Sequence, residues 1–328
     1  MNYKRLGRTG LEVSALGFGC GMIGGLLVRG EYPTMRRTVA RAIELGVTYF
    51  DTAPLYGDGL SEVNLGAVLR ELRADVLVGT KVRLAPEQML HIEAAIVESV
   101  EASLRRLGRE HIDLIQLHNP LTAQARPEAA LLTAKDLEAA LRAFQSLERQ
   151  GKVRFWGITG LGETEPLHQA VKAGGFYTIQ TPYNLLNPTA GMPAPPDFPF
   201  QDYRQIIDRA AEGGMGAIAI RIMAGGALSG TADRHPTAAR SVTPIASAPE
   251  YAADVTRARR LAFLVEDGTV GSLAEAAIRF AIGTPGISTA LIGLSSPEQL
   301  EQAVEFTNRG PLAAGVLARI HDVQMRPE

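Results

Sequence analysis

The 328-residue chain lacks the features that several specialised protein classes need. It has one cysteine, Cys20, which excludes a disulfide framework and a cluster of cysteine metal ligands. Its 33 Lys and Arg residues against 35 Asp and Glu residues give a formal charge of −2, so we expect no nucleic-acid or membrane partner. No apolar run reaches the ~18 residues of a membrane span, and the N-terminus has no signal-peptide core. These absences predict a cytoplasmic protein.

The remaining composition is typical of a folded globular protein. Hydrophobic residues make up 46% and charged residues 21% of the chain, which excludes a disordered chain. Short apolar segments, typical of strands buried on both faces, alternate with amphipathic segments of helix length. These predicted strands are residues 15–18, 48–50, 76–78, 112–117, 155–158, 177–180, 217–220 and 289–292.

Glycines mark the ends of the predicted helices. Helices are predicted over 35–45, 92–107, 135–149 and 203–212, each followed within two residues by a glycine. A further helix begins at Ser296, with proline and then Gln299 in its first turn. Sustained alternation leaves a closed (β/α)8 barrel or an open doubly wound sheet. Length and strand number favour the α/β TIM barrel, one domain over residues 1–328 with a short N-terminal β-hairpin.

A glycine-rich motif follows the first predicted strand. Residues 19–24, GCGMIG, fit the dinucleotide fingerprint GxGxxG. That fingerprint also needs a helix that begins at the motif, and the next residues, GLLVRGEYP, are broken by glycine and proline. We therefore interpret these glycines as a loop that passes close to a ligand rather than as a Rossmann motif.

Two long irregular stretches follow predicted strands. Residues 187–200 are rich in proline, and residues 225–249 are rich in small and polar residues. In a barrel, segments that follow strands lie on the face where active sites are built. The alternative interpretation is mobile surface loops without a role.

Polar residues emerge at the ends of three successive strands. Asp51, Lys81 and His118 each follow a buried apolar segment, and Tyr56 lies in the loop after Asp51. A buried Asp or Lys is costly unless it is paired, and adjacent strand ends in a barrel bring the two charges within reach. The pattern predicts that these four side chains form one cluster.

Such a cluster suits proton transfer to a carbonyl oxygen. A free tyrosine has a pKa of about 10, and a nearby lysine cation lowers the pKa of a phenol. Asp51 would hold Lys81, and a neutral His118 would donate a hydrogen bond to the same substrate oxygen. Because a proton donor reduces nothing by itself, a cofactor must supply the hydride. No metal-ligand spacing is present.

At these residues the chain resembles the aldo-keto reductase superfamily, over residues 3–306. The matching stretches include GVTYFDTA at 46–53, TKV at 80–82, DLIQLH at 113–118, GKVR at 151–154, GIT at 157–159 and SPEQL at 296–300. The resemblance implies a barrel that binds NADP(H), or less often NAD(H), without a Rossmann domain. It implies that Tyr56 is the general acid or base, that Lys81 and Asp51 tune it, and that His118 orients the carbonyl.

The resemblance also implies which residues hold the cofactor. Gln180 would bind the nicotinamide carboxamide, with Thr159 and Gly160 beside it. The full set of implied cofactor contacts is Gly19, Cys20, Asp51, Asn119, Thr159, Gly160, Gln180, Arg221, Met223, Leu294, Ser295 and Gln299. Substrates would be small aldehydes, ketones or aldose sugars. An alternative that the resemblance allows is a cofactor-binding accessory subunit with little turnover.

Some positions depart from the family pattern. Thr159-Gly160 replaces a frequent Ser-Asn, no aromatic residue marks the usual nicotinamide-stacking position, and Gly21 stands where a bulky pocket residue is common. Arg221 reaches the cofactor pyrophosphate or forms a salt bridge at the barrel top. Gln299 matches a cofactor-binding glutamine of one branch of the family, or it only completes a capping box with Ser296. Residues 290–308 contain no Arg or Lys for a 2′-phosphate, yet the helix start at Ser295-Ser296 favours NADP(H) over NAD(H).

Overall fold

A two-stranded hairpin opens the chain and closes one end of a barrel. The computed structural model describes residues 1–324. Strands β1 (Tyr3–Arg5) and β2 (Glu12–Ser14) pair antiparallel around a short 3-10 helix, Gly7–Thr9. Gly7 is needed there, because a Cβ atom would lie 2.2 Å from the backbone nitrogen of Gly216. This confirms the predicted hairpin.

Eight parallel strands form the closed barrel. In ring order they are β3 (Leu16–Gly19), β4 (Tyr49–Asp51), β5 (Leu77–Val82), β6 (Ile112–Leu117), β7 (Val153–Thr159), β8 (Thr178–Pro182), β9 (Gly216–Ile220) and β10 (Ile287–Gly293), which pairs with β3. Every pair is parallel, so all carboxyl ends meet at one rim, here called the upper rim. The predicted TIM barrel is confirmed.

Helices surround the barrel. They are α1 (Leu26–Arg29), α2 (Tyr32–Glu44), α3 (Leu60–Leu72), α4 (Ile92–Leu107), α5 (Ala134–Arg149), α6 (Thr164–Ala173), α7 (Ile206–Glu212), α8 (Tyr251–Arg259), α9 (Phe263–Glu266), α10 (Leu273–Gly283), α11 (Pro297–Asn308) and α12 (Ala314–Gln324). Helix α4 has the predicted bounds because Gly108 (φ +62°) ends it in the left-handed conformation. Within residues 1–324, no helix has both the length and the hydropathy for crossing a membrane.

The lower end of the barrel is filled by apolar side chains. Leu6 and Val13 of the hairpin segment pack against barrel residues that point inward, and all six members of this lower plug are buried. The plug consists of Leu6, Val13, Tyr49, Leu114, Ile218 and Leu291. With the lower end closed in this way, the upper rim is the face open to small molecules.

The glycine-rich motif does not begin a long helix. After Gly24 the chain forms only a four-residue helix, α1, and Gly25 precedes it with φ +80°. Gly24 lies against β10, since a Cβ there would be 2.4 Å from the backbone nitrogen of Leu294. The short helix agrees with the interpretation that this is not a Rossmann motif. The close approach seen at Gly24 is to β10, and the expected approach of the loop to a ligand stays a prediction.

Candidate functional site

The ends of β4 and β5 bring an aspartate and a lysine together. Asp51 and Lys81 have only 3% and 2% of their surface exposed. Lys81 Nζ donates to both carboxylate oxygens of Asp51, at 2.9 Å to Oδ2, and to the carbonyl of Thr52 at 2.8 Å. Because an ammonium group carries three protons, these three bonds fix its position. Burial acts to lower the pKa of Lys81, but the charges of Asp51 and Tyr56 outweigh burial and raise it.

Tyr56 lies against this ion pair. Its loop is held at both backbone groups, since Tyr56 N donates to Ala53 O and Ser61 N donates to Tyr56 O, each at 3.1 Å. The Lys81 ammonium is 5.0 Å from the centre of the Tyr56 ring. A Cβ at Gly21 would lie 3.6 Å from the same ring, so this glycine leaves space beside it. The structure therefore joins Asp51, Lys81 and Tyr56 as predicted.

The pKa of Tyr56 corrects one expectation. Burial is the largest influence and raises it, the Lys81 charge lowers it, and the Asp51 charge raises it again. The net direction is upward, whereas the sequence reasoning expected a net decrease. The lysine acts in the expected direction, but the sequence gives no measure of how completely the phenol is removed from water. Tyr56 is therefore a protonated phenol at neutral pH.

His118 follows β6 and completes the cluster. Burial, with the positive charges of Lys81 and Arg83, lowers the pKa of His118 to about 3, so the imidazole is neutral. Its Nδ1 atom is buried and has no hydrogen-bond partner in the described chain. A neutral imidazole can donate a hydrogen bond from one ring nitrogen, which is the role predicted for His118 toward a carbonyl oxygen.

A buried network supports the lysine strand, and sequence reasoning did not find it. Glu62 of α3 is fully buried. It accepts hydrogen bonds from the Thr80 hydroxyl at 2.6 Å and from Arg106 Nε at 2.5 Å. Thr80 precedes Lys81, so the network ties β5 to α3 and α4 one residue before the lysine. The available signal was an acidic residue on the buried face of a helix.

Two acceptors on neighbouring strands lack partners. Thr159 pairs in register with Gln180, and Thr159 Oγ1 and Gln180 Oε1 are both buried without a hydrogen bond among the described residues. Gln180 Nε2 donates to Asp51 Oδ2 at 2.7 Å, and Gly160 N donates to Gln180 O at 2.5 Å. Buried orphan acceptors call for a donor. An amide group such as a carboxamide therefore fits these residues.

The start of α11 is already hydrogen-bonded. Ser296 caps the helix by accepting from Gln299 N at 3.4 Å, as predicted. Gln299 Oε1 accepts from the backbone N–H of Ser295 at 2.8 Å, one residue before the capping-box partner expected for it. The Ser295 hydroxyl donates to Gly24 O at 2.7 Å, and Leu294 O accepts from Leu26 N. This segment is thus pinned to the glycine-rich loop.

Arg221 lies at the end of β9, with a positive φ of 58°. Asn184 Nδ2 donates to its carbonyl at 3.0 Å, and Arg221 Nη1 donates to Thr243 O at 3.3 Å. Burial lowers the pKa of Arg221, and the charge of Tyr56 acts against that change. No carboxylate of residues 1–324 forms an ion pair with Arg221, so the structure does not show the salt bridge considered above. Met223 follows at the start of the 3-10 helix Ala224–Ser229.

Three further predicted contacts are held by local hydrogen bonds. Gly19 ends β3. Cys20 N donates to Asp51 O, its carbonyl accepts from the Ser61 hydroxyl, and burial raises the pKa of its thiol. The Asn119 side chain bonds both backbone groups of Leu84 and the carbonyl of Ala130. The backbone of Cys20 and the side chain of Asn119 thus hold the structure beside the site.

Comparison with known proteins matches this architecture. The model of the Aldo/keto reductase family matches residues 15–324. A putative voltage-gated potassium channel subunit beta of Schizosaccharomyces pombe is 28% identical, over 98% of this chain and 92% of that protein. A D-threo-aldose 1-dehydrogenase of a Pseudomonas species is 27% identical, over 97% and 96%.

A solved structure shows the same similarity. The holo form of the aldo-keto reductase AKR11C1 from Bacillus halodurans superposes with a TM-score of 0.75 and 26% identity, covering 98% of this chain and 96% of that one. In residues 1–324 no group of three His, Cys, Asp or Glu side chains could hold a metal ion. The barrel, the four residues at its upper rim and these matches lead to one conclusion: the chain belongs to the aldo/keto reductase family.

Proposed function

We propose that this family oxidoreductase interconverts carbonyl compounds and alcohols with NAD(P)(H), using Tyr56 as the proton donor and acceptor. The observation that carries the proposal is the buried Asp51–Lys81 ion pair beside Tyr56. An ion pair buried this deeply costs desolvation energy that an apolar pair would avoid. It is explained if a cation is needed at that point to stabilise a phenolate.

In the reducing direction, the residues of this chain handle the substrate oxygen. The neutral imidazole of His118 donates a hydrogen bond to the carbonyl oxygen and sets its orientation. When bound, a reduced nicotinamide supplies a hydride to the carbonyl carbon. Tyr56 gives its proton to the carbonyl oxygen, and the C=O double bond becomes a C–O single bond. Lys81, held by Asp51, stabilises the phenolate that Tyr56 becomes.

Several residues would hold the cofactor. Gln180 and Thr159 have the orphan acceptors that a carboxamide N–H group can satisfy. We include Gly19, Cys20, Asp51, Asn119, Gly160, Arg221, Met223, Leu294, Ser295 and Gln299 in the proposed cofactor surface. Arg221 has no carboxylate partner in the described part of the chain, which supports the pyrophosphate as its ligand.

We propose NADP(H) as the preferred form. The pKa of Glu298 at the start of α11 is lowered mainly by hydrogen bonds, first that with Ser296, and further by the charges of Arg37 and His235. Arg37 comes from outside residues 290–308 and supplies positive charge near the helix start that a 2′-phosphate needs. Fluorescence titration with NADPH and NADH tests the preference, and tighter binding of NADH would contradict it.

Replacement of Tyr56 by phenylalanine tests the mechanism. Tyr56→Phe should lower kcat for aldehyde reduction by about 10²- to 10⁴-fold, since it removes the proton donor. NADPH binding should stay within about twofold, as the ring and the ion pair remain. The control is Tyr203→Phe, which removes a buried hydroxyl that has no hydrogen-bond partner within residues 1–324. Full turnover by Tyr56→Phe would contradict the mechanism.

The named potassium-channel relative supports a second candidate, an accessory subunit that binds cofactor with little turnover. A single-turnover measurement separates the two functions. An enzyme oxidises bound NADPH quickly when an aldehyde is added, and an accessory subunit does so slowly. The complete set of Asp51, Tyr56, Lys81 and His118 favours the enzyme.

A further inference from the structure

Arg83 stands at the mouth of the barrel beside the proposed catalytic residues. It follows β5 two positions after Lys81. Because side chains alternate along an extended chain, Lys81 and Arg83 project to the same side. The backbone N–H of His118 donates to Val82 O at 2.8 Å, and Arg83 Nη1 donates to His118 O at 3.3 Å. The guanidinium is thus anchored next to the residue that would orient the carbonyl.

Among the described residues, Arg83 has no counter-ion. Many arginines on the outside of the protein form ion pairs with carboxylates, among them Arg36 with Glu71 and Arg142 with Glu93. Arg83 forms no ion pair with any carboxylate of residues 1–324, and its side chain is exposed. Its charge nevertheless reaches the site, since it helps to lower the pKa of His118. Four of its five N–H donors are free to bind a ligand.

The groups of the proposed catalytic cluster do not compensate the charge of Arg83. Asp51 and Lys81 neutralise each other, and His118 is uncharged. The other guanidinium near Tyr56, that of Arg221, comes from β9, four strands away in the eight-strand ring. The two cations therefore lie on opposite sides of the opening. Arg221 can therefore face the cofactor, while Arg83, which lies beside His118, faces the substrate.

We propose that Arg83 binds a carboxylate on the substrate, so that the enzyme prefers aldehydes and ketones that carry a carboxylate away from the reacting carbonyl. This inference rests on the proposed carbonyl–alcohol chemistry and specifies its substrate class. A single planar guanidinium matches a carboxylate through two parallel hydrogen bonds. A phosphate dianion would call for a second cation, and no other cation is shown beside Arg83.

A matched pair of substrates tests the proposal. 4-Carboxybenzaldehyde and methyl 4-formylbenzoate share the ring and the aldehyde and differ in the negative charge. The wild-type enzyme should have a higher kcat/KM for the acid. Arg83→Gln should lower kcat/KM for the acid by about 10- to 100-fold, mainly through KM, and change that for the ester by less than about threefold. Arg83→Lys should restore part of the loss, because it keeps the charge without the planar fork.

The control is Arg149→Gln, which removes an exposed arginine at the end of α5, on the opposite face of the barrel. It should leave the acid-to-ester ratio unchanged. If Arg83→Gln lowers kcat/KM equally for the acid and the ester, the assignment of Arg83 is wrong while the proposed function stands. The same holds if the wild-type enzyme shows no preference for the acid. If wild-type enzyme reduces neither substrate with either cofactor, the proposed function fails and the substrate assignment fails with it.

Discussion

At the scale of single residues, the site depends on how burial and charge act on one phenol. Burial keeps Tyr56 protonated, and the neighbouring Lys81 limits the cost of removing its proton. Asp51 and Thr52 hold the Lys81 ammonium, which also forms a hydrogen bond with the Tyr56 side chain, so its charge acts directly on the phenol. The residue prepared to give a proton at neutral pH is Tyr56.

The two reaction directions should therefore respond differently to pH. Reduction needs the protonated phenol, so its kcat/KM should stay level across about pH 5 to 8 and fall only above the raised pKa of Tyr56. Oxidation needs the phenolate and should rise with pH across the same range. His118 adds no step near its ordinary pKa, because its own is about 3. A bell-shaped reduction profile with a limb near pH 6.5 would contradict this assignment.

Sequence reasoning found Asp51, Tyr56, Lys81 and His118 because polar residues at the ends of apolar strands are conspicuous. It did not find Glu62 or Arg83. A glutamate on a helix is usually solvated, and only the packing of α3 against β5 shows that Glu62 is buried. In the sequence, Arg83 cannot be distinguished from an ordinary surface arginine. Only the structure shows that His118, at the end of the neighbouring strand, lies beside it.

At the scale of elements, strand and helix centres follow from the sequence better than their ends. Strand β5 was predicted at 76–78 and extends to Val82, because Lys81 can stay in a buried strand once Asp51 pairs with it. Helix α7 was predicted from residue 203 and begins at Ile206, since Arg204 and Gln205 have positive φ values. Both differences depend on tertiary contacts that a local pattern does not contain.

The link between α3 and β5 should be stabilising. Glu62→Ala should lower the free energy of unfolding by about 2–3 kcal/mol, because it leaves the buried Thr80 hydroxyl without its partner. Glu71→Ala is the control: Glu71 pairs with Arg36 with both side chains 46% exposed, and because solvent screens such a pair, its loss should lower the stability much less than the loss of Glu62. Urea unfolding measures both. Equal effects of the two substitutions on the free energy of unfolding would show that the buried Glu62 network stabilises the fold no more than an exposed ion pair does.

At the scale of the whole molecule, the two ends of the barrel have separate tasks. The lower plug around Leu6 and Val13 is apolar and buried, and the proposed catalytic groups lie at the upper rim. The closed ring and the hairpin follow from strand number, length and the first residues of the chain. The sequence does not predict the conformations of residues 187–200 and 225–249, which border the opening. These conformations depend on tertiary contacts such as the hydrogen bond from Asn187 to the carbonyl of Ala246.

This division predicts that stability and catalysis can be changed separately. Leu6→Ala should destabilise the protein by about 2–5 kcal/mol, since it opens a cavity in the lower plug. At a temperature where the variant is folded, kcat and KM should match those of the wild-type enzyme. Thermal unfolding and steady-state kinetics on one preparation test both statements. A large change in kcat at full folding would show that the two ends are coupled.

The closed lower end of the barrel also limits the route by which Tyr56 can regain a proton. In the proposed reduction Tyr56 gives up one proton in each cycle, and the lower end of the barrel below it is closed by the buried, mainly apolar side chains of the lower plug. We therefore expect the replacement proton to reach Tyr56 from bulk solvent through the same opening at the upper rim that substrate and product use. A ligand bound in that opening would delay the reprotonation of Tyr56 until the ligand leaves.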